Sequence, residues 1–231
     1  MKHVFLTAAL LAAAILSSAQ QNRITFGVEG GIGVANLSSD NAYYEDIYES
    51  RTGYAAGIAF QYNFPKVISL RTGIMYELKG ASSDITFTDN NGNVTGVVKT
   101  FDDLDYLTIP LLLRATFGDK INFFVNAGPY YALLLKRTWV FEDKIILPNG
   151  DVMEDIDLTD DTEKSDFGIS GGLGASAVFN ERIVISLEAR NNLGMTDIAP
   201  ETHAPDKLKT RTILILAGVA FKFGSRENDA K

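Results

Sequence analysis

The 231-residue sequence has no cysteine and only two histidines and one tryptophan. Without cysteine there is no disulfide, iron–sulfur cluster, zinc–thiolate site or cysteine nucleophile. No run of apolar residues reaches the length of a membrane-spanning helix, about 18 residues or more. Basic residues are also scarce, since 21 Lys and Arg stand against 29 Asp and Glu, a formal net charge of −8. That balance argues against a nucleic-acid partner, which needs a basic surface to neutralise its phosphates.

The N-terminal residues have the features of a cleaved signal peptide. Lys2 and His3 precede an apolar run from Val4 to Leu16, and small residues follow up to Ala19. A signal peptidase cuts after small residues that follow such a run. We therefore predict that residues 1–19 are removed and that the protein is exported. No cysteine follows the apolar run, which excludes a lipoprotein anchor.

Alternation of apolar with small or polar residues recurs in eight runs after residue 23. In the last run, Arg211 to Phe223, Ile215 and Val219 share one face, whereas Thr212 and Gly218 share the other. A period of two is that of a β-strand. The predicted connections alternate between short ones, at 63–66, 118–120 and 180–181, and long ones, at 36–51, 81–105, 138–165 and 194–210.

Short turns that alternate with long loops, and an even number of strands, are typical of outer-membrane barrels. We therefore predict an all-β fold for residues 20–223, an eight-stranded antiparallel up-and-down transmembrane β-barrel with short periplasmic turns and long extracellular loops. Residues 224–231 would form a short polar tail. A soluble secreted barrel is the alternative, but it would turn its apolar face inward. Pro110 and Pro129 cannot donate to a strand ladder, so each should mark a bulge or a strand end.

Charged residues within the predicted strands fall on the face that carries small and polar residues. Three acids and three bases inside one barrel would pair, whereas each of them would be costly if exposed to lipid. Such a network would also fill an interior that eight strands leave narrow. The predicted interior charge network consists of Glu29, Arg71, Glu77, Arg114, Glu188 and Arg190.

The predicted loops carry aromatic residues with two open interpretations. Tyr43, Tyr44 and Tyr48 lie in the first long loop and Trp139 in the third. They form either a contact surface for a partner or an aromatic girdle at the outer membrane interface. The sequence does not decide between the two.

No catalytic, cofactor-binding or metal-binding residue is assigned. The acidic run Asp151 to Glu163 lacks the spacing and the glycine of an EF-hand loop, so we expect a solvated face rather than a Ca²⁺ site. His203, in the last long loop, is the only histidine after residue 19. It is the one candidate for an outer-leaflet enzyme, and a lone loop histidine is more often simply solvated.

Several segments resemble the porin-family outer-membrane β-barrel domain, in particular its PorT-like group of small proteins. They include GVEGGIGVAN at Gly27–Asn36, YLTIPLLLR at Tyr106–Arg114 and DFGISGGLG at Asp166–Gly174. The resemblance covers nearly all of residues 22–223 and implies an eight-stranded barrel of OmpA/OmpX-like architecture. These are strand and turn motifs, so they say little about function. The chain also extends beyond Phe223, whereas such barrels usually end at an aromatic residue.

We expect a structural or interaction protein of the outer membrane, with a role in envelope integrity, adhesion or secretion. Its partners would be outer-membrane lipid and lipopolysaccharide, and a protein bound through the acidic extracellular loops. The alternative is a narrow or gated pore for small solutes. An outer-leaflet enzyme is the weakest of the three hypotheses.

Overall fold

The computed structural model describes residues 23–39, 47–89, 91–142, 152–199 and 207–223. The predicted signal peptide, residues 1–19, and the polar tail, residues 224–231, lie outside these ranges and stay predictions. None of the helices in the described ranges is long and apolar enough to cross a membrane.

Eight long strands form one closed antiparallel sheet. Each strand pairs with its neighbour along the chain, and the last pairs with the first from Ile24–Phe223 to Ser39–Leu208. The predicted eight-stranded up-and-down barrel is therefore confirmed. The strands of the barrel are β1 (Ile24–Ser39), β2 (Glu49–Asn63), β3 (Ile68–Thr88), β4 (Val94–Phe117), β5 (Ile121–Phe141), β7 (Ser165–Phe179), β8 (Ile183–Gly194) and β9 (Leu208–Phe223). A two-residue strand, β6 (Ile156–Asp157), pairs with β5 outside the ring.

The outer surface of the barrel is apolar. Alternate residues of every strand point outward, and many large ones are more than half exposed, such as Ile32 at 66%, Phe123 at 64% and Leu173 at 64%. A continuous apolar surface of this kind has to be covered by another apolar phase. The alternation therefore creates a lipid-facing band around the barrel.

Tight turns join the strands at one end of the barrel, which we call the short-turn end. Asn180 and Glu181 both have positive φ values, 47° and 61°, and the Arg182 amide donates to the Phe179 carbonyl over 3.1 Å. Positive φ at both central residues is the signature of the hairpin turn that matches strand twist. The opposite end is the long-loop end.

The strands extend further at the long-loop end than the apolar alternation indicates. The runs Ile85–Thr88 and Val94–Lys99 within the connection 81–105 predict a hairpin with its tip at Asp89–Asn93, and this hairpin forms as a direct continuation of the β3–β4 ladder. β5 likewise runs to Phe141. The barrel wall at this end therefore extends beyond the apolar band. The hydrophobic alternation ends where the lipid-facing surface ends, whereas the hydrogen-bonded ladder between the strands continues.

The prediction that Pro110 and Pro129 mark bulges or strand ends is wrong. Pro110 pairs with Tyr130, and Pro129 pairs with Ile169, and the strand register is the same on both sides. Each proline removes one donor only, and the Thr72 hydroxyl donates to the Pro110 carbonyl over 2.7 Å. The register shifts lie instead at Phe87–Thr88, at Asp105–Tyr106 and between Ser50 and Ala55.

Candidate functional site

The barrel interior contains two layers of buried charged side chains. In the first layer Glu29 lies opposite Gly57 on one neighbouring strand and Gly218 on the other. The two glycines leave room beside its carboxylate, which accepts hydrogen bonds from Arg71 and, over 3.2 Å, from Arg190. One carboxylate of β1 thus links β3 and β8 across the lumen.

Glu188 is the second carboxylate of this first layer. Its oxygens accept from Arg190 Nε over 2.6 Å, from Arg114 Nη2 over 2.7 Å and from Asn126 Nδ2 over 3.1 Å. The Arg114 guanidinium also lies 3.8 Å from the ring centroid of Phe124. Charge-assisted hydrogen bonds of this kind are strong when they are shielded from water. The first layer therefore comprises Glu29, Arg71, Arg114, Glu188 and Arg190.

The second layer lies nearer the long-loop end. Lys79 Nζ is 3.1 Å from an Asp166 oxygen and 3.9 Å from a Glu77 oxygen. Asp166 also accepts from Tyr130 over 3.2 Å and from Thr210 over 2.7 Å. Asn192 donates to Glu77, again from β8 to β3 across the lumen. Lys79 further lies between two rings, 4.8 Å from the centroid of Tyr106 and 4.7 Å from that of Tyr130.

Apolar side chains pack around the two charged layers. Met75, Leu214 and Leu216 form a buried cluster with Ala55, and Arg190 donates to the Met75 sulfur over 3.2 Å. The inward face therefore carries large apolar residues as well as the small, polar and charged ones. A second apolar cluster covers the second layer at the long-loop end and consists of Leu37, Ala81, Leu104, Tyr106, Tyr130, Ala132, Leu134, Ile198 and Leu208.

Two glycines of β7 make room for the inward-pointing rings. A Cβ atom at Gly168 would lie 2.6 Å from the Tyr130 ring, and one at Gly174 would lie 2.8 Å from Phe124 Cε2. Both distances are well below ordinary van der Waals contact, so only glycine fits. These positions are thus a packing requirement of the filled interior.

A separate ion pair lies above the apolar band, at the long-loop end. Arg137 donates to both oxygens of Asp102, over 2.9 Å and 2.6 Å, and to the Thr162 hydroxyl over 3.1 Å. Burial opposes the charge of Arg137, but the hydrogen bonds and charge of Asp102 outweigh it and raise the pKa of the guanidinium. The pair fixes β4 to β5 and to the segment before β7.

A cavity of about 320 Å³ lies beside this ion pair. It brings together Tyr48 and Trp139, two residues of the predicted contact surface, although they are 91 positions apart in sequence. Both side chains are half-buried, and the Trp139 ring packs on Phe141 with centroids 5.7 Å apart. The other lining residues are Ile47, Ser83, Asp84, Ile85, Asp102, Arg137 and Leu158.

All six residues of the predicted charge network lie buried in the barrel interior, Glu77 in the second layer and the other five in the first. Tyr43, Tyr44 and His203 lie outside the described residues. Lys79 and Asp166 were missed as network members. Lys79 shares the inward face of β3 with Glu77 at a spacing of two, and that spacing could have identified it.

No group of three or more His, Cys, Asp or Glu side chains is placed to hold a metal ion in the ranges that the structure describes. Within the acidic run, the carboxylates of Asp157 and Asp160 instead interact with residues close to them in sequence. The carboxylate of Asp157 accepts from the Thr159 amide over 2.9 Å, and Asp160 pairs with Lys164.

A closed antiparallel sheet with an apolar outside and a charged, filled inside defines a transmembrane β-barrel. A family model described as "Outer membrane protein beta-barrel domain" matches residues 18–199, and the chain belongs to this family. Among the curated proteins, none is similar enough to match the chain.

Solved structures of outer-membrane barrels are similar to this chain along most of its length. Neisserial surface protein A is 16% identical, covering 86% of this chain and 97% of its own, with a TM-score of 0.47. OprG of Pseudomonas aeruginosa is also 16% identical, covering 90% and 99%, with a TM-score of 0.45. Outer membrane protein W of E. coli is 12% identical, covering 88% and 99%, with a TM-score of 0.42.

Proposed function

We propose that this protein is a closed outer-membrane barrel that acts as a structural or interaction protein. Its apolar band contacts outer-membrane lipid and lipopolysaccharide, and its long-loop end faces the cell exterior, where it binds a partner protein. The observation that carries this proposal is the blocking of the lumen, between the short-turn end and the long-loop end, by two charged layers and an apolar cluster.

The contacts of Arg190 support the proposal that the lumen of the barrel is closed. This side chain is 2% exposed and reaches Glu29 on β1, Glu188 on its own strand and Met75 on β3. An eight-stranded barrel has an interior that side chains can just fill. With Arg114 bound to Glu188 at the same level, little width is left for a solute. Passage would require several buried ion pairs to separate.

The interaction role is supported by the long-loop end. The tall β3–β4 hairpin and the extended β5 raise a wall above the apolar band, and the Arg137–Asp102 pair makes its base rigid. Tyr48 and Trp139 line the cavity in this wall. Aromatic residues beside a fixed ion pair are typical of contact sites for proteins.

Conductance measurements in planar bilayers test the closure. We expect the purified protein to show no steady unit conductance, because the charged layers remain intact. Replacing Arg190 with Ala removes the central member of the first layer and should produce intermittent openings. The matched control is Arg211→Ala, which removes an exposed arginine from β9. Steady unit conductance of the unmodified monomer would refute the closed barrel.

Crosslinking in intact cells tests the interaction role. A photo-crosslinking amino acid at position 139 should capture one defined protein reproducibly. The same group at position 123, on the exterior of the barrel near the short-turn end, is the control and should give lipid adducts only. Equal capture patterns at the two positions would contradict a specific contact surface.

A narrow or gated pore is the second candidate, and one observation favours it. A cavity of about 580 Å³ opens at the short-turn end and extends up to Arg71 and Arg114 of the first layer. Part of the lumen is therefore accessible to solute, and the charged layers act as the barrier. The conductance measurement separates this candidate from the closed barrel.

A further inference from the structure

The cavity at the short-turn end is a polar chamber inside the barrel. Its volume is about 580 Å³, and residues of two tight turns, Lys66 and Asp119, lie at its edge. Its walls carry amide and hydroxyl side chains, including Gln61, Asn122 and Ser176. Since a water molecule in liquid takes up about 30 Å³, the chamber has room for a small hydrated solute.

The charge of the chamber is positive. Of the described residues that line it, four are basic (Lys66, Arg71, Arg114 and Lys222) and one is acidic (Asp119). Arg71 and Arg114 also belong to the first charged layer, whose three arginines share only two carboxylates, so an excess of positive charge remains when that layer is included. A cation would be repelled from this end of the lumen, whereas an anion would be attracted.

Two buried polar atoms beside the chamber have no hydrogen-bond partner among the residues that the structure describes. They are Arg114 Nε and the Ser69 hydroxyl, in residues that are 5% and 2% exposed. Ser69 lies directly opposite Arg114 in the β3–β4 ladder, so the two side chains are neighbours on the inward face. Unpartnered buried donors are costly, and a bound acceptor removes that cost.

We propose that this chamber is a binding site for a small oxyanion of the phosphate class that enters from the short-turn end. Lys222 and the guanidinium of Arg114 supply the positive charge, and Ser69 donates a hydrogen bond after a change of rotamer. The site is open towards the turns and closed towards the first charged layer. It is a dead-end chamber, so binding there does not require a conducting pore.

The test is a phosphate titration of the refolded full-length protein in a non-ionic detergent, which contains no phosphate of its own. Phosphate replaces chloride at constant ionic strength, and backbone amide resonances report binding at each position. We expect saturable changes in the amide chemical shifts of Ser69, Arg114 and Lys222, and no such changes in the β3–β4 tip. Shifts that grow linearly without saturation, or that appear equally at the tip, would overturn the proposal.

Two variants locate the site. Lys222→Gln should weaken the apparent affinity about tenfold, because a charge-assisted hydrogen bond is lost. The matched control is Lys120→Gln, which removes the same charge from the 118–120 turn but outside the chamber lining. It should leave the affinity nearly unchanged.

Ser69→Ala provides an independent readout if Lys222→Gln does not fold. Removing the hydroxyl should weaken phosphate binding while leaving the charged layer intact. An affinity unchanged in both Ser69→Ala and Lys222→Gln would refute the site, and so would equal losses in Lys222→Gln and Lys120→Gln.

Discussion

The ammonium group of Lys79 lies 3.1 Å from a carboxylate oxygen of Asp166, and both side chains are almost fully buried, at 1% and 0% exposure. They are 87 positions apart in sequence and come from β3 and β7, which are not neighbours in the barrel. Asp166 also accepts from Thr210 of β9. The ion pair and this hydrogen bond together link β3, β7 and β9 across the lumen and close the second layer.

Replacing only one residue of this ion pair should strongly destabilise the barrel. In Lys79→Met the Asp166 carboxylate keeps two hydrogen bonds but loses its cation, and removing one partner of a buried ion pair costs about 3–5 kcal/mol. We expect a loss of this size in the free energy of unfolding, measured with urea in lipid vesicles.

The double variant Lys79→Met/Asp166→Asn checks the cause. It removes both charges of the pair and keeps the approximate volume, so part of the lost stability should return, although Glu77, the other carboxylate beside Lys79, stays without that cation. The exposed pair of Lys164 and Asp160 serves as a second control, since surface pairs contribute little. A double variant as unstable as the single one would show that packing, rather than charge, dominates.

Glycine at position 174 should be required for the inward placement of Phe124. A methyl group in Gly174→Ala would collide with the Phe124 ring and with the Leu187 carbonyl, so we expect a destabilisation of about 1–3 kcal/mol. Gly171 is the matched control on the same strand, because the nearest atom to an added Cβ there is 3.9 Å away.

Gly171→Ala should be neutral or slightly stabilising, since the unfolded chain loses flexibility. Urea unfolding in vesicles again provides the measurement. Similar stability of Gly174→Ala and Gly171→Ala would mean that the Phe124 ring moves without cost.

The residues that face outward could be predicted from the sequence, because contact with lipid requires apolar residues at alternate positions of each strand. Val28, Ile215 and their counterparts alternate with small or polar residues along each strand, and this pattern requires no knowledge of neighbouring strands. The same rule placed Glu29 and Arg190 inside. Local alternation thus determines which residues face the lumen.

The pairing inside the lumen could not be predicted in the same way. Arg114 binds Glu188, 74 positions away, because strand tilt and register bring β4 and β8 to the same height. Neither tilt nor register is encoded in a single strand. Tyr48 and Trp139 line one cavity for the same reason, because the register of the strands above the apolar band brings them together.

A charged residue on the lipid-facing side of β9 should prevent assembly. Val219 is 52% exposed and faces outward between Val28 and Ile185 of the adjacent strands. Arginine at the bilayer midplane costs about 2–4 kcal/mol, so Val219→Arg should greatly reduce the folded fraction. Val219→Leu keeps the surface apolar and should fold normally.

The folded fraction can be measured by the difference in gel migration between heated and unheated samples. Normal folding of Val219→Arg in membranes would indicate that this face of β9 does not contact lipid.

The hairpin tip of β3 and β4 should lose its order in acid. The Asp89 carboxylate accepts from the Asn93 side chain over 3.0 Å and from the amides of Asn93 and Asn91 over 2.9 Å and 2.8 Å. The side-chain bond from Asn93, followed by the two amide bonds, lowers the pKa of Asp89 below its ordinary value.

Because the folded pKa is the lower one, the stabilisation from Asp89 is complete above the unfolded pKa of about 4 and is lost as the pH falls through the folded pKa. Protonation removes the charge that the three donors bind. The amide resonances of Asn91 and Asn93 should therefore move together with the Asp89 carboxyl resonance during an acid titration. In Asp89→Asn the transition should disappear, and a transition that persists in this variant would assign it to another group of the tip.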